Sequence, residues 1–340
     1  MPCNYLAREG TLNYDCQGKD IFMKHILITG VSGYFGQKLV KLFEGKDEVN
    51  RITGIDIRPS ANSSKKLEFI KCDVRDNLNN VFAKRDIDCV IHTAYILPPI
   101  HDIALMEDIN ITGTKNVLTA SAAHKVVQIL DCSSSTAYGF HPDNPPLLTE
   151  DSPLRGNDDF TYAKNKKELE GWVDGFVRTH QNISLTIIRP CFVVGPGFTN
   201  PLARHLCKKI CILPWKSAEF QYIHEDDLAE IMYLLLKNKK TGIYNLAADG
   251  TMTFDDMLQI LGGWPLRIPV WLLWPMNNLM WNLRITFMTE FPSSSLNLIR
   301  YPWIASNEKV KRELGYEFRY TTMEAFEDFA WHVKGAGGIR

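Results

Sequence analysis

The sequence predicts an α/β protein built on a doubly wound parallel sheet, with a smaller region interleaved into its C-terminal half. Three observations lead there. Apolar β-rich runs alternate with helical segments through the first half, a glycine-rich turn follows the first run, and the alternation loosens after residue 190. The runs are HILITG (25–30), RITGIDI (51–57), LEFIKCDV (67–74), DCVIHTA (88–94), VVQILDCSSS (126–135) and SLTIIRP (184–190). Strands buried on both faces by crossover helices read as such near-continuous apolar runs. Between them, Val117, Leu118 and Ala122 recur at helical spacing, and TYAKNKKELEG (161–171) continues as a second helix. Residues 1–22 lack the apolar core of a signal peptide and are expected to be a poorly ordered extension. The expected organisation is a nucleotide-binding unit over 23–190, completed by 222–250. A ligand region would span 191–221 and 251–330, with a tail at 331–340.

The chain has 340 residues, 45% of them hydrophobic, and a formal net charge of -1. That supports a large core and gives no electrostatic footprint for nucleic acid, so a small molecule is the expected partner. The eight cysteines are scattered without a Cys-x-x-Cys pair, which suits reduced thiols in a cytoplasm. Cys207 and Cys211, four residues apart, read as small buried hydrophobes. No His, Asp and Glu cluster suggests a metal; His92 and His101 read as structural or surface residues.

The turn TGVSGYFG spaces Gly30, Gly33 and Gly36 between the first strand and a helix starting near Tyr34 and Phe35. Small residues allow a tight turn and close approach of a pyrophosphate to the helix N-terminus. Asp56 ends the second strand twenty residues after Gly36, where a carboxylate can accept from a ribose 2′-hydroxyl. Together they indicate a Rossmann-type dinucleotide site, with Ile57 and Arg58 beside it. The carboxylate favours NAD; Arg58, able to pair with a 2′-phosphate, keeps NADP as the alternative.

Tyr162 precedes Lys166 by four residues, which on a helix places a phenol and an ammonium on one face, about 5–6 Å apart at Cβ. With the glycine turn, and with CDV (72–74), HTA (92–94), NITGTKNVL (110–118), SSSTAYG (133–139), RPCFVVGPG (189–197), YIHEDDLAE (222–230), YNLA (244–247) and KRELGY (311–316), the chain resembles the extended short-chain dehydrogenase/reductases. The matching branch is the NAD-dependent epimerase/dehydratase family. The resemblance implies Ser134, Tyr162 and Lys166 as catalytic residues. It also implies cofactor contacts from Asp73, Val74, Thr93, Ala94, Tyr95, Ser133 and Pro190, and support of the active-site helix by Asn110. Tyr95, Ser134, Ser135, Phe192 and Phe220 would face the substrate, and a homodimer would form through helices near 110–125 and 160–180. The chemistry agrees: alcohol–ketone interconversion needs a group that takes or gives a proton, and Lys166 is expected to lower the Tyr162 pKa from about 10. His224 and Asp227 are expected to hold the sheet to a helix start.

Members acting on nucleotide sugars usually carry Asn where this chain has Phe192 and Arg where it has Phe220. Phenyl rings cannot bind a diphosphate, so an apolar alcohol or ketone is favoured. The Trp-rich stretch 268–288 is too interrupted by Pro275, asparagines and Arg284 to span a bilayer. A helix closing over the pocket is favoured, ahead of one packed within the small region or touching a membrane surface. The expected function is an NAD-dependent oxidoreductase. A nucleotide-sugar epimerase or dehydratase that retains its NADH is the alternative, and a nucleotide-sensing regulator comes third.

Overall fold

The computed structural model describes residues 23–335; the expected disorder of 1–22 lies outside them. The chain opens with β1 (His25–Thr29), α1 (Tyr34–Glu44), β2 (Arg51–Asp56), β3 (Leu67–Lys71), α2 (Asn79–Phe82) and β4 (Cys89–His92). α3 (Ile103–Glu107) runs through a π-helical turn (Asp108–Thr112) into α4 (Gly113–Ala123), followed by β5 (Gln128–Cys132), α5 (Thr161–Thr179) and β6 (Ser184–Pro190). Then come β7 (Phe192–Val194), α6 (Pro201–Leu206), β8 (Ile210–Pro214), β9 (Tyr222–His224), α7 (Glu225–Lys237), β10 (Gly242–Leu246) and α8 (Phe254–Leu261). β11 (Trp264–Ile268), α9 (Val270–Asn282), α10 (Leu296–Arg300), α11 (Glu308–Leu314) and α12 (Thr322–Gly335) complete the chain.

Seven parallel strands form the central sheet in the order β10-β6-β5-β4-β1-β2-β3. The reversal beside β1 opens a crevice at the strands' carboxyl ends. Strand alternation feeds both faces: Ile26 and Ile28 pack with Leu39, Val40 and Phe43 of α1 and the apolar side of α7. Leu27 points the other way, into the layer of Val117, Leu118, Val173 and Phe176 from α4 and α5. A third cluster joins Tyr138, Phe140 and Phe160 to the C-terminal region through Phe220, Trp303 and Phe326. The short ladders β7-β9 and β8-β11 build that region.

Several expected strands are shorter than read, among them the third and the fifth. β3 stops at Lys71 because Asp73 turns the chain, accepting from the Asp76 N–H, and β5 stops at Cys132 because Ser134 caps a 3-10 turn. α12 continues to Gly335, past residue 331 where the tail was expected to begin. His224 caps α7 through the Asp226 N–H, while Asp227 accepts from the Tyr316 hydroxyl and two backbone N–H groups of the 316–320 turn. No helix among the described residues is long and apolar enough to cross a membrane.

Candidate active site

The turn after β1 is built by contact rather than flexibility alone. Gly30 has φ +71°, and a Cβ there would lie 2.8 Å from the Ala94 Cα; at Gly36 it would lie 2.3 Å from the Gly30 carbonyl oxygen. Gly33 caps α1 in an extended conformation, without a side-chain cap and with no acidic residue in the first turn. The N–H groups at the start of α1 therefore face a cradle suited to an anion. The Thr29 hydroxyl accepts from the Thr93 and Ala94 N–H groups, and the Thr93 hydroxyl donates to the Thr29 carbonyl at 2.7 Å, locking the ends of β1 and β4. His92 is buried between the Thr29 and Thr114 hydroxyls, and burial lowers it to about 3, so it is a neutral structural group.

Asp56 is buried at the end of β2 and accepts from the Ser32 N–H at 3.1 Å and the Arg58 N–H at 2.9 Å. The exposed Arg58 side chain stands 3.7 Å from it, and Ile57 is exposed alongside. Asp73 pairs with Arg75 at 2.7 Å, while Val74 is buried under α4. Tyr34 lies over the turn at Gly197, where a Cβ would meet its ring at 2.5 Å; Phe35 instead packs on the core.

α5 aims Tyr162 and Lys166 at the 3-10 turn after β5. Ser134 is the side chain that favours the Tyr162 phenolate, and its oxygen accepts from the Thr136 N–H at 3.2 Å. The buried Lys166 ammonium donates to the Cys132 carbonyl at 2.8 Å and lies 3.4 Å from the Tyr95 ring centre. It is 5.8 Å from the Tyr162 ring centre. Tyr95 meets Tyr162 edge to face, 5.4 Å between centres, and its buried hydroxyl has no partner among the described residues. Asn110, in the π-helical turn, holds Ile96 by both its N–H and its carbonyl, which fixes the segment carrying Tyr95. Lys164 and Lys167 of α5 pair with Glu107 and Asp158.

In the chain alone, Lys166 contributes no lowering of Tyr162. Burial pushes the phenol above its ordinary value, the Cys132 thiol adds to this, and only the Ser134 hydrogen bond opposes it. Lys166 is itself drawn down by burial, offset partly by Asp131, so the chain alone drives both groups towards neutrality. Asp131 beneath them rises to about 6, again through burial, with Lys166 opposing.

Sequence reasoning missed the network that sets this geometry. Arg189 on β6 and Glu170 on α5 are both buried and paired through the Arg189 Nε, 3.0 Å from each carboxylate oxygen, and Nη2 at 2.6 Å. The Ser133 hydroxyl donates to Glu170, and Arg189 donates to the Tyr138 hydroxyl at 2.7 Å. Ser133 is thus tied into the scaffold beside Ser134. The fully buried Ser135 donates to the Pro190 carbonyl at 3.1 Å, so its hydroxyl joins β5 to β6.

Phe192 and Phe220 meet at 5.0 Å between ring centres, each packed on Trp303. Phe220 is buried, so it backs this wall, and the half-buried Phe192 is the more accessible ring. The aromatic cluster continues through the buried Phe140 and Phe160 to Tyr162. A cleft of about 70 Å³ opens at Tyr162 between Ile100, Ile103, Met106, Phe160 and Trp281 of α9, whose indole stacks on His101 at 4.1 Å. A larger surface cleft, about 460 Å³ along Arg75, Asn77, Asn116 and Thr119, contains none of the expected site residues. Among the described residues no His, Cys, Asp and Glu group could hold a metal.

The glycine cradle, the acidic strand end and the Ser-Tyr-Lys set at the sheet's carboxyl edge define a dinucleotide-dependent α/β enzyme class. The sequence model of the NAD dependent epimerase/dehydratase family matches residues 26–247, and the chain belongs to that family. An uncharacterized protein of Mycobacterium tuberculosis is 26% identical over 317 residues, covering 91% of this chain and 84% of that protein. UDP-glucose 4-epimerase 2 of Oryza sativa subsp. japonica is 30% identical over 199 residues, 54% of this chain and 46% of that enzyme. Among solved structures, dTDP-glucose 4,6-dehydratase from Bacillus anthracis, in complex with NAD, superposes with a TM-score of 0.72. It is 17% identical, covering 92% of this chain and 96% of its own, a likeness of fold.

Proposed function

We propose that this chain is an NAD-dependent oxidoreductase that interconverts a secondary alcohol and a ketone on a rather apolar small molecule. The observation that carries the proposal is the Phe192, Phe220 and Trp303 cluster continuing to Tyr162, with no cation over its rings among the described residues to balance a diphosphate. The cofactor fits the residues present: a Cβ would fill the cradle at Gly30 and Gly36, and the start of α1 is uncapped. Asp56 would hold the adenosine ribose, Thr93 and Ala94 would line its path, and Lys166 would reach the nicotinamide ribose. When bound, NAD accepts or supplies the hydride.

The chain's own part is proton transfer and positioning. Ser134 donates to the substrate oxygen; Tyr162 gives its proton to a forming alkoxide, or as phenolate takes it from an alcohol. Raised by burial, Tyr162 is protonated across neutral pH, the form that serves ketone reduction. Tyr162→Phe should lower kcat for reduction of an apolar ketone such as 1-indanone by about 10²–10⁴-fold with NADH binding intact. Unchanged turnover in this variant refutes the assignment. An epimerase or dehydratase is the second reading, favoured by the match to a rice UDP-glucose 4-epimerase. Stoichiometric consumption of free NADH separates the two, since the second returns the cofactor oxidised after each turnover.

A further inference from the structure

α9 presents two different faces. Leu273 is buried, Asn277 donates to the Phe291 carbonyl at 3.0 Å and Trp281 stacks on His101, so this side walls the Tyr162 cleft. The opposite side carries Trp271, Leu272, Pro275, Leu279 and Leu283 at helical spacing, all exposed. The apolar surface extends beyond the helix. Phe287 is 77% exposed, as is Trp271. In the β8-β11 ladder Ile210 opposes Trp264 and Ile212 opposes Leu266, and Ile210, Trp264 and Leu266 are exposed. Two contacts join ladder and helix into one surface: Lys208 donates to the Phe287 carbonyl at 3.2 Å, and the Trp215 N–H donates to the Ile268 carbonyl at 3.0 Å, just before α9.

Charge decides what this surface suits. Residues 208–217 and 262–289 contain Lys208, Lys209, Lys216, Arg267 and Arg284 and no Asp or Glu, in a chain whose net charge is -1. Arg267 is paired with Asp255, whereas Lys209, Lys216 and Arg284 have no carboxylate partner among the described residues. Two such faces repel one another, which disfavours a second copy of the chain as the occupant. Exposed tryptophan and phenylalanine among unpaired cations match a bilayer's acyl boundary and anionic headgroups. α9 has 13 residues, a length of about 20 Å, so it lies along the surface rather than across about 30 Å of hydrocarbon.

We propose that the outer face of α9, with Phe287, Trp264 and the lysines beside them, docks on an anionic lipid surface. The proposal is independent of the substrate and of Tyr162. The full chain is mixed with vesicles of phosphatidylcholine alone, or with about one third phosphatidylserine, and the bound fraction is read by cosedimentation at moderate salt. Binding is expected to the anionic vesicles, at least about tenfold weaker in a Trp271→Ser, Phe287→Ser double variant, and about fivefold weaker for each of Lys209→Gln and Lys216→Gln. An unchanged circular dichroism spectrum and melting midpoint show that the variants fold. Tyr162→Phe should bind as the unaltered chain does, so failure of the catalytic reading leaves this test standing. The proposal is overturned if the folded chain stays in the supernatant, or if the double variant binds equally well. It is also overturned if sedimentation velocity shows that the double variant loses self-association, because the face is then an interface between copies.

Discussion

Replacing Glu170 by Gln tests whether the pair beneath the site sets its geometry. The substitution keeps the shape but removes the negative charge that faces the Arg189 guanidinium through contacts of 2.6 and 3.0 Å. Arg189 retains the Tyr138 hydroxyl and, at 3.2 Å, the Glu150 carbonyl, neither of which balances its charge. Breaking one side of a buried pair costs about 3–5 kcal/mol. For a chain of this size that lowers the melting midpoint by about 4–7 °C. Urea unfolding measures the loss directly, and Glu170→Leu with Arg189→Met should recover much of it, since an apolar pair removes the unbalanced charge. The Ser133 hydroxyl is also weakened in its anchor, so kcat should fall more than NADH affinity. A loss below about 1 kcal/mol would refute the reasoning, because the guanidinium would then have to be solvated.

Other expectations follow from the same geometry. With Tyr162 raised by burial, kcat/KM for alcohol oxidation should climb with pH through the alkaline range while ketone reduction stays level around neutrality; matching profiles would remove Tyr162 as the shared acid and base. Asp56→Asn should lower the preference for NADH over NADPH by about tenfold or more, with Arg58 free to meet a 2′-phosphate, as read from paired coenzyme titrations. Glu225 is raised from 4.5 to about 7 chiefly by burial, with Asp226 adding. A carboxyl raised on folding contributes stability that is fully present below pH 4.5 and lost as pH rises through about 7. Relative to Glu225→Gln, the unaltered protein should lose stability across that window in urea titrations at stepped pH, with the Lys38 ammonium at 2.8 Å limiting the loss.

What the sequence disclosed depended on how local each constraint is. The glycine turn, Asp56 and the Tyr162–Lys166 spacing are written within single elements, because strand-to-helix turns and helix faces fix which neighbours meet. Glu170 and Arg189 carry no such signature: one lies in a lysine-rich helix, the other in an apolar strand, and only β5-β6 pairing brings α5 over them. Tyr95 was legible as a site residue but its contact with Lys166 was not, since Asn110 positions that loop from a helix fourteen residues further on. Phe220 illustrates the reverse difficulty. Its type suggested a ring facing the ligand, yet burial behind Phe192 is a matter of layers, which residue identity does not encode.

The π-helical turn at Asp108–Thr112 absorbs a one-residue difference in length within the helix from Ile103 to Ala123. A π turn holds one residue more than the α geometry around it. It keeps two stretches in different angular phase, with Met106 set at the Tyr162 cleft and Val117 and Leu118 in the layer beneath the sheet. Deleting one residue would let the segment wind as a regular α-helix with the two stretches keeping their present relation, whereas regular winding at the present length would turn one by about 100° against the other. The turn therefore makes this segment tolerant of a one-residue change in length, and its winding is what holds the two ends in register.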